Sequence, residues 1–164
     1  MTRPLLCLDV DGVLCPFIDP GGYREVPTGD GDHVLVSPEN TTRLRLLANR
    51  FQLVWATAWE DRANQTISPL HGIGDLPVIR CDIALLDDVA LLLDGQPPEW
   101  PGYHDWKLPW IQRYVGARKY AWIDDEISDR ALARNTAENC FIRPNPSVGL
   151  TDAHVQQLLL FAEE

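Results

Sequence analysis

Leu5-Leu6-Cys7-Leu8-Asp9-Val10-Asp11-Gly12-Val13-Leu14 is the stretch from which the rest of the chain is read. From Leu5 to Val10 it is apolar except at Asp9, which is the composition of a strand buried on both faces of a parallel sheet. Carboxylates spaced by two along a strand point the same way, and Gly12 lets the backbone turn tightly and stay close to a ligand. An Asp-x-Asp-Gly string also fits a simple turn or a piece of a calcium loop. A calcium loop, however, places its glycine after more oxygen ligands, whereas Gly12 comes directly after a hydrophobic strand.

Working outward, residues 15–36 are rich in Gly, Pro and Asp and hold two strand-like pieces, Tyr23 to Val26 and His33 to Val36. They read as a flap-like insertion over the sheet edge, too small to be a folded cap. Ser37-Pro38 is an N-cap followed by proline at the first helical position, and Leu44, Leu46 and Leu47 give that helix an apolar face ending near Asn49. Beyond it the pattern gives a strand over Gln52 to Ala56, a short helix over Asp61 to Ile67 and a short strand over Pro77 to Arg80. Asp82 to Asp94 is ambiguous between helix and strand, and Gln96 to Gly102 is a loop. A helix over Trp106 to Val115, a strand over Tyr120 to Ile123, a helix over Ser128 to Asn135 and a strand over Cys140 to Ile142 follow. An amphipathic helix from Asp152 to Ala162, capped by Thr151, closes the chain. Alternating strands and helices specify an α/β fold: a Rossmann-like three-layer α/β/α sandwich around a mainly parallel five-stranded sheet. Residues 1–164 form one domain on this reading, without a large cap domain.

Composition narrows the function. The 164 residues carry a formal charge of −10 and only two lysines, which argues against an extended nucleic-acid-binding surface. A single terminal phosphate is still within reach of a metal and a few donors. No apolar run is long enough to span a bilayer and no cleavage-site pattern follows Met1, so no membrane partner and a cytoplasmic location are expected. Cys7, Cys15, Cys81 and Cys140 lack paired spacing, excluding a zinc motif or a secreted disulfide framework; Cys7 and Cys140 read as core fillers.

Polar residues interrupt apolar strands at their carboxyl ends, the edge where open α/β sheets bind ligands. They are Asp9 and Asp11, Thr57, and the pair Asp124 and Asp125, with Lys107 one helix before that pair. Taken singly each has a structural explanation: a strand-end hydroxyl, a solvated lysine, two helix-capping carboxylates. Their joint order favours a site. Of Trp55, Trp59, Trp100, Trp106, Trp110 and Trp122 most are expected in the core or packed under loops, with Trp59 and Trp106 candidates for an aromatic rim; His71 and His104 lie in loops without an assigned role, and Asp129 reads as a surface residue.

Asp9-Val10-Asp11-Gly12-Val13-Leu14 resembles the first motif of the haloacid-dehalogenase-like (HAD) superfamily, and Thr57 after Leu53-Val54-Trp55-Ala56 resembles the second. Lys107 is similar to the third motif and Trp122-Ile123-Asp124-Asp125 to the acidic fourth. The surround Trp55-Ala56-Thr57-Ala58-Trp59 also resembles small capless HAD domains attached to RNA-repair proteins. The resemblance implies a phosphohydrolase in which Asp9 attacks phosphorus to give an aspartyl-phosphate and Asp11 handles the proton. Thr57 and Lys107 would hold the phosphoryl oxygens. Asp9, the Asp11 carbonyl and Asp124, with Asp125 beside it, would hold Mg²⁺. The implied substrate is a phosphomonoester: a small metabolite, a nucleotide or a nucleic-acid end. A phospho-accepting receiver-like domain fits the order of Lys107 and the acidic pairs poorly, and a non-catalytic HAD-like binding module is at odds with the retained side chains. Without a cap, the site is expected to be open, with Tyr23, Arg24 and Trp59 as substrate contacts.

Overall fold

A computed structural model describes residues 2–29, 31–81 and 104–163. The ambiguous stretch Asp82 to Asp94, the Gln96 to Gly102 loop and Trp100 lie outside them. Four parallel strands build the main sheet: β1 (Leu5–Leu8), β4 (Gln52–Trp55), β5 (Tyr120–Ile123) and β6 (Asn139–Ile142), in the order β4-β1-β5-β6. Every residue of β1 and β5 is buried, as their unbroken apolar runs require. Because side chains alternate across a strand, Leu6 and Leu8 enter one core while Leu5 and Cys7 enter the other.

Helices cover both faces, giving three layers. On the first face lie α1 (Pro38–Arg50) and α5 (Asp152–Glu163), through Leu44, Leu47, Val155 and Leu158. On the second lie α3 (Leu108–Val115) and the single turn α4 (Asp129–Leu132), through Ile111, Val115 and Ala131. Trp55 fills the first core and Trp122 the second, the latter edge-on to Phe141 at 5.7 Å. Each such aromatic removes roughly 150–250 Å² from water, about 4–6 kcal/mol of gross transfer free energy at ~25 cal/mol/Å². Cys7 and Cys140 are core fillers as expected.

The five-stranded expectation is corrected: among the described residues the parallel sheet has four strands. The Pro77 to Arg80 segment does lie beside β4, but as one bridge between Val78 and Trp55, where Trp55 donates to the Pro77 carbonyl and Ile79 donates to Trp55. Pro77 has no N–H to extend the ladder. Residues 61–70 are helical with a π-turn, Ala63–Ile67, leading into α2 (Ser68–Leu70). Pro69 cannot donate to the carbonyl four residues back, and the Ser68 N–H reaches Ala63 instead. Helix α4 is shorter than the predicted Ser128 to Asn135 span. Its Asn135 leaves the helix to exchange two hydrogen bonds with the Phe141 backbone, covering the open edge of β6.

Ser37 caps α1 by accepting from the Glu39 N–H, with Pro38 in the first turn. The insertion after β1 is an antiparallel hairpin, β2 (Arg24–Pro27) and β3 (His33–Val36), and no cap domain is present among the described residues. Among the described residues no helix is long and apolar enough to cross a membrane.

Candidate active site

The strand order places β1 between β4, which follows it in the chain on one side, and β5, which comes later on the other. The carboxyl end of β1 is therefore the switch point at which open α/β sheets form a crevice. Three backbone bonds prolong the ladders past the strands and fix what stands there: Asp9 donates to Ile123, Ala56 to Leu8, and Asp124 to Ile142. Asp9 thus leaves β1, Thr57 leaves β4 and Asp124 leaves β5 side by side, all of them buried.

Lys107, at the N-terminus of α3 and only 3% exposed, joins them. Its Nζ donates to Asp9 Oδ2 and to Asp124 Oδ2, both at 2.7 Å. Burial works against the ammonium, yet the Asp9 and Asp124 carboxylates outweigh it and keep Lys107 charged. The remaining oxygens are held by main chain: Asp9 Oδ1 accepts from Val10, and Asp124 Oδ1 from Glu126. Thr57 Oγ1 accepts from the Trp59 N–H, which leaves its own hydroxyl proton available to a ligand.

Asp125 completes the acidic group. Gly12 adopts φ +68°, and a Cβ there would meet the Asp125 carboxylate carbon at 2.5 Å, so the absence of a side chain at residue 12 is what lets Asp125 lie against the β1 loop. Asp9, Asp124 and Asp125 each offer one oxygen, all within 4.8 Å of one another. One ammonium faces three carboxylates. Burial and the Asp9 charge push the Asp124 carboxyl up, and burial, Asp9 and Glu126 push Asp125 to about 6. An oxygen-only, charge-deficient cluster of this kind fits a hard divalent cation. Asp11 is not part of the carboxylate cluster: its Oδ2 accepts from Trp59 Nε1 at 2.8 Å, and burial raises its proton affinity despite that bond.

Asp9, Thr57, Lys107, Asp124 and Asp125 therefore meet at one edge, with Asp11 at its margin. Trp59 is half-buried with its indole N–H committed to Asp11 and Arg62 stacked at 4.8 Å on its ring. Trp106 donates to the Glu126 carboxylate and lies 5.3 Å from Lys107 Nζ. The Tyr23 hydroxyl turns to Asn40 of α1, while Arg24 occupies the face of the hairpin opposite Glu25. Asp129 is a surface residue paired with Arg143, and His71 is fully buried in the core.

Asp105 was not singled out. It takes a positive φ of 69° and its carboxylate accepts from the Ser128 N–H at 2.8 Å and from the Ser128 hydroxyl, while its N–H bonds the Glu126 carbonyl. It ties the Lys107 turn to the Asp124 loop. Its only sequence signal was an aspartate two residues before the lysine.

A family model described as the HAD domain in Swiss Army Knife RNA repair proteins matches residues 5–155. No curated protein matches the chain.

Proposed function

The chain belongs to that family, HAD domains in Swiss Army Knife RNA repair proteins, and as a HAD-type hydrolase we propose that it is a Mg²⁺-dependent phosphomonoesterase working through an aspartyl-phosphate. The observation that carries this reading is the Lys107 ammonium bridging Asp9 and Asp124 at 2.7 Å on each side, at the carboxyl edge of the sheet.

In the proposed reaction an Asp9 carboxylate oxygen forms a bond to phosphorus as the bond from phosphorus to the leaving oxygen breaks. Asp11 delivers its proton to that oxygen; its raised proton affinity suits the task, and the Trp59 indole aims it. Water then adds to the phosphorus of the aspartyl-phosphate while Asp11 takes a proton, and inorganic phosphate leaves with Asp9 restored. Throughout, the Thr57 hydroxyl and Lys107 ammonium hold the phosphoryl oxygens, donors fixed in place before charge develops. Asp9, Asp124 and Asp125, with the Asp11 carbonyl, would hold Mg²⁺, whose chemistry is to neutralise phosphoryl charge.

The test is turnover of 4-nitrophenyl phosphate with and without Mg²⁺. Asp9→Asn keeps the size of the side chain and removes the nucleophile, so activity is expected to fall by at least about 10³-fold. Turnover near the wild-type rate in Asp9→Asn refutes the covalent mechanism.

A further inference from the structure

Beside the phosphoryl site, on the flap side of Asp11, lies a cleft of about 250 Å³. Asp11, Phe17, Glu25, His33, Val34 and Leu35 are among the residues that line it. The hairpin register sets which flap side chains share a face. Glu25 pairs with Leu35 and Pro27 with His33 on one face, while Arg24, Val26, Val34 and Val36 share the other, where the last two are buried in the core. A one-residue slip would turn Arg24 toward the cleft and Glu25 away.

The Phe17 side of the cleft is also anchored. Its N–H donates to the Pro146 carbonyl, Leu150 donates to Val13, and Gly149 at φ +76° lies so close that a Cβ would meet the Val13 oxygen at 2.6 Å. The ring itself is 64% exposed, an unusual position for a phenylalanine on a loop so firmly tied down.

Charge gives this cleft its selectivity. The Glu25 carboxylate lines it, with the proton-donating Asp11 at its inner end, and among the described residues no lysine or arginine does. Residues 82–103 contain neither residue type, so they supply no cation. A leaving group bearing a second phosphate would bring that charge toward the exposed Glu25 carboxylate, with no lysine or arginine in the lining to pair with it. An uncharged leaving group with hydroxyls and a flat ring finds acceptors in Glu25 and His33 and an apolar surface in Phe17 and Leu35. The volume is below the usual ligand-pocket range of roughly 300–1,000 Å³, so one such unit is held and anything attached to it stays outside.

We propose that this cleft is the leaving-group subsite, and that it selects monophosphates of uncharged, ring-bearing alcohols, of which a nucleoside is the probe chosen here, over substrates carrying a second phosphate on the same unit. The proposal rests on the phosphatase reading above. Values of kcat/KM are measured for adenosine 3′- and 5′-monophosphate, adenosine 3′,5′-bisphosphate and glycerol phosphate, with 4-nitrophenyl phosphate as the check on chemistry. The wild-type protein is expected to prefer the better adenosine monophosphate to the bisphosphate by roughly fivefold, the scale of one unit charge brought against a solvent-exposed carboxylate. Glu25→Lys is expected to shrink that ratio at least several-fold, and Phe17→Ser to shrink the ratio of adenosine monophosphate to glycerol phosphate. No turnover of any of these esters overturns the phosphatase reading and this subsite with it. Turnover of 4-nitrophenyl phosphate with a mono-to-bisphosphate ratio near one, or a ratio that Glu25→Lys leaves unchanged, overturns the subsite alone.

Discussion

Replacing Lys107 with methionine keeps the length of the side chain and removes the ammonium that, alone among the described residues, bridges Asp9 and Asp124 beside Asp125. Asp9 and Asp124 are each almost fully buried and each lose a 2.7 Å charged hydrogen bond. Breaking a buried ion pair by removing one partner costs about 3–5 kcal/mol, because the stranded charge stays desolvated. For a domain of this size 1 kcal/mol corresponds to roughly 2–4 °C in Tm, so in EDTA the variant is expected to melt about 6–20 °C lower. Two further signatures identify the cause. Mg²⁺ is expected to raise the Tm of the variant more than that of the wild type, because the cation then replaces the missing charge. The variant's deficit is also expected to shrink on acidification. Carboxyls whose folded-state pKa is raised bind protons more readily folded than unfolded, so the instability they cause is complete above their folded range and disappears toward the ordinary aspartate value, about 3.9. Thermal unfolding followed by circular dichroism at pH 4.5 and 7.5, in EDTA and in Mg²⁺, measures all three. A loss below about 1 kcal/mol in EDTA at pH 7.5, or an equal Mg²⁺ response in the two proteins, refutes the charge argument.

Gly12→Ala introduces a Cβ 2.5 Å from the Asp125 carboxylate carbon at a backbone φ of +68°, so a cost of about 1–2 kcal/mol from the left-handed backbone is expected together with a reduced Mg²⁺-induced rise in Tm; an unchanged metal response shows that Asp125 is not held by this contact. His71 is fully buried with Nε2 unpartnered, and burial lowers its pKa to about 4. The unfolded chain binds the proton first, so its contribution is intact above about pH 6.5 and is lost between there and about pH 4, some 3 kcal/mol in all. Urea unfolding across that window is expected to show a shallower fall in His71→Leu than in wild type, and parallel curves argue against a neutral buried imidazole.

Much of the candidate site was legible because its signals are local. An aspartate interrupting an apolar strand, a glycine after it, and a threonine or an acidic pair at the end of later strands are each written within a few residues. Strand burial does the rest, since a β-strand in a parallel sheet exposes polar groups only at its ends. The α1 cap was readable for the same reason: Ser37 and Pro38 act on backbone groups within one turn.

The features that the sequence did not give depend on partners far away in the chain. The fifth strand shrank to the Val78 bridge because an edge strand exists only to the extent that a neighbour's backbone pairs with it, and Pro77 offers no N–H. Trp59 was open to several roles until folding brought its indole to Asp11, 48 residues earlier, and Asp105 gained a function only when Ser128 came within reach. Hairpin register, which no local pattern specifies in a stretch rich in glycine and proline, decides that Glu25 and Leu35 share one face of the flap and Arg24 and Val36 the other. The sequence by itself determined the α/β class, the edge of the sheet at which the candidate site lies and the identity of the charged groups there, all matters of local polarity along each strand. The tertiary structure alone decided strand order, how those charges are paired and oriented, and the shape of the cleft beside them, because each of these is a relation between segments whose separation along the chain leaves no trace in either one.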